Sequence, residues 1–261
     1  MRQIFQTLIC LIFVIACDFT PPINRKIIQA QNFISTQEYK KAAFLYEEIL
    51  TNNLKPDLRM KLSYQLGELY SIYLGQYSKA VKNYNEVKIL TEDPVWLIKV
   101  EEKISEINFY YLKDYSAAIN SYVKLSEFSP RLKDYDFFQM QIAESYYNQK
   151  NYDKAMMAIE RIQTNQSSEY FVRSFYLLGL IYFEKKDYNK ALFIWSEYLK
   201  RETKKDQIVK AKFLVANTYE ATDNLKMAYD IYFSISKDYP NQEVVLSRLK
   251  SLYDRRVSRR R

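Results

Sequence analysis

"KDYNKALFIW", residues 186–195, is one of six variants of a single ten-residue phrase. The others are "QEYKKAAFLY" from residue 37, "GQYSKAVKNY" from 75, "KDYSAAINSY" from 113, "KNYDKAMMAI" from 150 and "DNLKMAYDIY" from 223. Ala holds the sixth place in each, at 42, 80, 118, 155, 191 and 228, so the steps are 38, 38, 37, 36 and 37 residues. A period this regular means one supersecondary unit copied along a line. Within each copy the apolar residues keep helical spacing. Tyr188, Ala191, Trp195 and Tyr198 share one helix face, as do Tyr115, Ala118, Tyr122 and Leu125.

A second helix precedes each phrase, marked by a small residue and an aromatic three positions later. The pairs are Ala30 and Phe33, Gly67 and Tyr70, Ala143 and Tyr146, Gly179 and Tyr182, and Ala216 and Tyr219. The third copy departs, with Glu106 and Phe109. Small residues are required where two helix backbones approach closely, and aromatics fill the space beside them. Turn signals separate the pairs at Asn52-Asn53, Asp93-Pro94, Ser129-Pro130, residues 164–169 and Asp238-Tyr239-Pro240. Val245, Leu246, Leu249 and Leu252 then place one amphipathic helix where a terminal cap belongs.

This grammar resembles the tetratricopeptide (TPR) repeat, and the stretch "LLGLIYFEKKDYNKALFIWSEYL" matches its Leu-Gly-x-x-Tyr and Ala-x-x-x-aromatic signature most fully. The resemblance implies an all-α fold, a right-handed superhelical TPR solenoid of about six helix-turn-helix repeats over residues 23–240. A capping helix at 241–254 and an Arg-rich tail at 255–261 would follow. The copies run two to four residues longer than the family's unit of about 34.

Composition agrees. Only 3 Gly and 6 Pro in 261 residues leave little material for hairpins, and the absence of His removes the commonest general base and metal ligand. There is no Gly-rich phosphate loop and no Gly-x-Ser-x-Gly, so no cofactor, metal or catalytic residue is expected. Adjacent acids such as Glu47-Glu48 and Glu101-Glu102 point about 100° apart on a helix and do not converge on one bond.

Residues 1–16, "MRQIFQTLICLIFVIA", read as a signal peptide, because the apolar run from Leu8 to Cys17 rises only about 15 Å as a helix, half a bilayer core. Val14-Ile15-Ala16-Cys17 resembles a bacterial lipobox. That resemblance implies acylation of Cys17, a tether over 17–22 and attachment to the membrane through acyl chains. Both Cys lie in this segment, so cleavage would leave one thiol, carrying lipid. The expected location is the bacterial cell envelope, facing the periplasm.

First helices of TPR units line the concave groove in the family. Mapped by spacing, the peptide-binding candidates are Lys61, Tyr64, Tyr110, Tyr111, Phe137, Met140, Tyr147, Arg173, Tyr176, Phe183, Lys210 and Phe213, with Lys103 beside them. Aromatics and Arg are what binding hot spots favour. The Lys/Asn clamp by which some TPR proteins hold a C-terminal carboxylate is not reproduced, since Ile107 stands four residues after Lys103.

The function expected is a lipid-anchored scaffold or adaptor holding a protein partner in an envelope assembly or transport machine. It resembles the TPR lipoproteins of outer-membrane protein assembly (BamD-like) and, less closely, the TPR pilotins of type IV pili. Arg255 to Arg261 hold five Arg in seven residues, suited to anionic lipid or envelope polymer. The rival readings are a cytoplasmic or membrane-tethered adaptor whose Arg tail meets nucleic acid, and an envelope enzyme acting on glycans through Glu68, Glu144, Glu184 or Glu220. Export would remove nucleic acid from reach.

Overall fold

The computed structural model describes residues 22–258, and among them there are thirteen α-helices and no strand. The signal segment, Cys17 and Arg259–Arg261 lie outside the described residues. The chain divides into two compact units, Met1–Glu92 and Asp93–Arg261.

In the first unit α1 (Pro22–Ser35) pairs with α2 (Tyr39–Leu50), and α3 (Pro56–Glu68) with α4 (Tyr77–Leu90). In the second, α5 (Pro94–Glu106) pairs with α6 (Tyr115–Ser126), α7 (Tyr135–Asn148) with α8 (Tyr152–Gln163), α9 (Glu169–Glu184) with α10 (Tyr188–Arg201), and α11 (Lys205–Ala221) with α12 (Leu225–Ile235). Helix α13 (Gln242–Ser258) closes the second unit by laying Val245, Leu249 and Leu252 on Leu225, Tyr232 and Ile235. It runs through the first four residues of the expected tail. Arg255 hydrogen-bonds Glu220 (3.0 Å) and Asp223 (3.3 Å).

The repeated phrase encodes a turn and a cap as well as a helix face. Its first residue is left-handed in all six copies: Gln37, Gly75, Lys113, Lys150, Lys186 and Asp223 have φ between 55° and 63°. Its second residue is the N-cap of the following helix. The side chains of Asp114, Asn151, Asp187 and Asn224 accept the backbone N–H three residues on, while Glu38 and Gln76 make no such bond. In four copies the cap's own N–H closes on the aromatic carbonyl five residues back, as in Asp187 to Tyr182 (2.9 Å) and Asn224 to Tyr219 (2.8 Å), while Gln76 reaches six back, to Tyr70 (2.9 Å). One short phrase thereby ends a helix, reverses the chain and starts the next helix.

All six phrase alanines are fully buried. In two copies the small residue of the first helix accommodates a ring, which corrects the expectation of backbone against backbone there. A Cβ on Gly67 would lie 2.7 Å from Tyr84 Cε1, and one on Gly179 would lie 2.1 Å from Trp195 Nε1. Tyr84 and Trp195 both stand four residues after the phrase Ala, with no exposed surface. Burying a ring of that size stabilises by about 1.5–3 kcal/mol or more.

The third copy keeps the small-residue rule after all. Helices α3 and α5 end in π-helical turns, Leu69–Tyr73 and Ile107–Leu112, which fit one extra residue before the chain reverses. Ser105, fully buried, stands thirteen residues before Ala118, as Gly67 stands before Ala80; the other copies use twelve. Ser105 is the small position, and Glu106 is its neighbour.

Candidate functional site

In the second unit, α7, α9, α10 and the start of α11 enclose an open cavity of about 840 Å³. That volume lies in the range of small-ligand and peptide pockets. Five sequence candidates meet there: Met140 and Tyr147 from α7, Arg173 and Tyr176 from α9, and Lys210 from α11. Positions 173, 176 and 180 fall three and four apart, so α9 turns one face to the cavity. Ser168 caps that helix by accepting the Tyr170 N–H at 3.2 Å.

Tyr176 packs against Tyr198 with ring centroids 5.4 Å apart and planes 60° apart. Its backbone carbonyl accepts the Trp195 indole N–H at 3.4 Å, which ties α9 to α10 behind the wall. The Tyr198 hydroxyl donates to Glu202 at 2.9 Å. Burial lifts the Tyr176 phenol above its ordinary range and pushes Tyr147 up to about 12, so both stay neutral hydrogen-bonding groups at neutral pH.

Charge in the cavity is mixed. Arg173 donates to Glu144 at 2.6 Å. Burial raises the Glu144 carboxyl, and Arg173 offsets part of that rise. Arg201 and Lys204 stand on the opposite wall. There burial favours protonation of Glu202, but the backbone N–H of Lys204, the Tyr198 hydroxyl and the N–H of Thr203 outweigh it and hold the carboxyl low. The result is an aromatic trough with a fixed ion pair at one side and cations at the other. It suits a polypeptide with apolar and polar groups in alternation, and exposed aromatic surface there is available at low entropic cost.

The remaining candidates go elsewhere. Tyr64 is 5% exposed, tilted against Tyr84 and bonded to Glu68 at 2.9 Å, so it is a core residue of the first unit and corrects the groove assignment. Met140, 1% exposed, contributes only a floor. Phe183 is half-buried on Tyr188 and Trp195, and Phe213 stacks on Tyr239 at 4.5 Å. Tyr110 and Tyr111 are exposed on the π turn, where Gln141 donates to the Tyr110 hydroxyl at 2.6 Å. Lys61 is exposed on α3, Lys103 lies 4.0 Å from Glu106, and Phe137 borders a separate cavity. Spacing along first helices missed Tyr198, Arg201, Glu202 and Lys204, because these come from the end of a second helix and the connection after it. The charged run "KRETKK", residues 200–205, was the signal for the last three.

Residues 139–167 and 172–200 each match a tetratricopeptide repeat family model. The chain thus carries tetratricopeptide repeats over these two stretches, and the other copies show the same helix pairing. No curated protein sequence matches it. Among solved structures it is similar to PilW, described as a widely conserved type IV pilus biogenesis factor. The TM-score is 0.55 at 16% identity, over 88% of this chain and 98% of that one. It is similar to YrrB, a TPR protein with an unusual peptide-binding site, at TM-score 0.53 and 11% identity over 72% and 91% of the two chains. A signal-transduction ATPase with a tetratricopeptide repeat sensor from Pyrococcus horikoshii gives 0.60 at 17% identity, over 88% of this chain and 38% of that one. Among the described residues no helix is long and apolar enough to cross a membrane.

Proposed function

We propose that the protein is a lipid-anchored, exported scaffold that holds a segment of a partner polypeptide in the trough between α7, α9 and α11, within a bacterial cell-envelope complex. The observation that carries the binding role is the convergence of Tyr147, Tyr176 and Arg173 on one open cavity of about 840 Å³. The lipobox-like "VIAC" at 14–17 supports the anchor, and the likeness to a pilus biogenesis factor favours the pilotin-like over the BamD-like variant of the envelope role.

Two experiments separate the parts. Crosslinking in intact cells followed by mass spectrometry is expected to lose a partner in Tyr176→Ala and Arg173→Ala. The same partner yield in both variants would remove the trough from the account. A clickable palmitate analogue is expected to label the wild type and not Cys17→Ser, with a matching loss from the detergent phase; equal labelling would end the lipoprotein assignment.

A further inference from the structure

The helix that closes a repeat stack needs a polar outer face. The outward ridge of α13 obeys this rule, with Glu243, Ser247, Ser251, Asp254 and Ser258 all exposed. One flank does not. Leu246 and Tyr253, two turns apart, are 56% and 60% exposed, and Val257 follows four residues on. The contacts of the opposite flank fix its direction. Arg248 and Arg255 reach Glu220 of α11 at 3.7 and 3.0 Å, while Val245, Leu249 and Leu252 face α12. Leu246, Tyr253 and Val257 each stand two residues from one of those arginines, about 160° around the helix, so they point away from α11.

Helix α12 extends the apolar flank. Tyr229 and Phe233, one turn apart, stack with their planes 7° apart, and Phe233 is 66% exposed. The Arg256 guanidinium lies 5.8 Å from the Tyr229 ring, which sets this side of α12 beside the C-terminal half of α13. A single exposed hydrophobic residue needs no explanation, but a row across two packed helices marks a contact surface.

Charge indicates what covers it. The last twenty residues, 242–261, hold seven Lys and Arg and two acids, and so carry +5 of the chain's net +8. Arg248 and Arg255 are committed to Glu220 and Asp223. Among the described residues no ion pair reaches Lys250 or Arg256, and Arg259–Arg261 follow next in the sequence. Lys250 stands between Leu246 and Tyr253 along the helix, where its stem covers apolar surface and its head reaches outward. Protein interfaces are poor in Lys, whereas aromatic and Leu side chains framed by Lys and Arg suit an anionic bilayer. Rings and Leu enter the headgroup layer there, and the cations meet lipid phosphates.

We propose that this flank of α12 and α13 rests on an anionic membrane surface. Phe233, Leu246 and Tyr253 enter the headgroup layer, and Lys250, Arg256 and the terminal arginines meet the phosphates. The contact requires neither the trough nor acylation of Cys17. It goes beyond the tether proposed above by assigning which side of the second unit meets the bilayer.

The test records hydrogen exchange, fragment by fragment, in the full chain with vesicles of phosphatidylcholine alone or with about one third phosphatidylglycerol. The readout is local, so attachment through the N-terminal segment does not imitate it. On anionic vesicles exchange is expected to slow severalfold over residues 229–237 and 246–258, and on phosphatidylcholine to stay as in detergent. The lipid concentration for half protection should rise about fivefold in Lys250→Gln and in Arg256→Gln, the effect of one charge near such a surface. Protection should vanish in the double variant Leu246→Ser, Tyr253→Ser. Unchanged exchange over α11 in detergent reports that each variant keeps its fold. Equal protection on the two lipids, or full protection in the double variant, would overturn the proposal. Protection that appears without vesicles and grows with protein concentration would make the flank a contact between copies of the chain. Protection by polyglutamate but not by vesicles would make it a site for acidic polypeptide, and either result overturns the lipid assignment. Cys17→Ser should keep the protection, and its loss there would overturn the flank as a contact in its own right.

Discussion

Two glycines separate the two reasons for keeping a side chain small. Gly179 leaves no room: its added Cβ would overlap the indole of Trp195, a fully buried ring also held by its N–H. Gly179→Ala is therefore expected to cost about 1–3 kcal/mol or more by overpacking, read as an earlier urea midpoint with unchanged slope. Gly75 has open space around its Cβ but a φ of 63°, so Gly75→Ala should cost about 1 kcal/mol through the backbone alone. Lys186→Gly, at φ 60°, runs the other way and should gain up to about 1 kcal/mol. If Gly179→Ala proved the milder of the two Ala variants, the ring-in-notch account of the pair would be wrong. The notch was legible in the sequence as a small residue at a fixed distance from the phrase. That a ring fills it was not, because spacing tells which residues share a face and leaves open which partner arrives.

At the scale of elements, the pairing of helices was readable from period and phrase, and the π turns were not. A π turn adds one residue while leaving the apolar face nearly unchanged, so helical spacing on either side looks normal. Its trace is the thirteen-residue offset of Gly67 and Ser105 from their alanines. Deleting exposed Tyr111 would restore the twelve-residue offset of the other copies. It is expected to keep the α5–α6 pair, with a stability change under about 1 kcal/mol and unchanged helical circular dichroism. Deleting Leu178 from the middle of α9 should instead rotate half of that face by about 100° and prevent cooperative unfolding. Caps give a finer test. Asn224→Ala removes the side chain that accepts the Met227 N–H and is expected to cost about 0.5–2 kcal/mol, whereas Gln76→Ala, where no such bond exists, should be close to neutral. The trough was half legible for the same kind of reason: α9 presents a regular face, but its opposite wall comes from the end of α10 and the turn beyond, where no period operates.

Across the whole molecule the buried carboxylates set a pH dependence of unusual sign. Most acids paired in a fold lose stability as pH falls, but Glu102 and Glu144 are held above their ordinary range chiefly by burial. Below the unfolded value of 4.5 each is protonated in both states and contributes no penalty. As pH rises from there through the folded value, the unfolded chain releases its protons first, and stability falls until the folded groups ionise as well. The half-buried acids Glu38, Asp187 and Glu197 are shifted downward, first of all by hydrogen bonds from Lys41, Lys190 and Lys200 respectively, and they act below that window. The double variant Glu102→Gln, Glu144→Gln should therefore flatten the decline in urea-measured stability that begins near pH 4.5, while leaving the acid limb below it in place. A wild-type curve that rises across that interval, or a double variant with the same slope, would mean that these carboxyls are solvated and that neither cavity wall is as dry as its geometry implies.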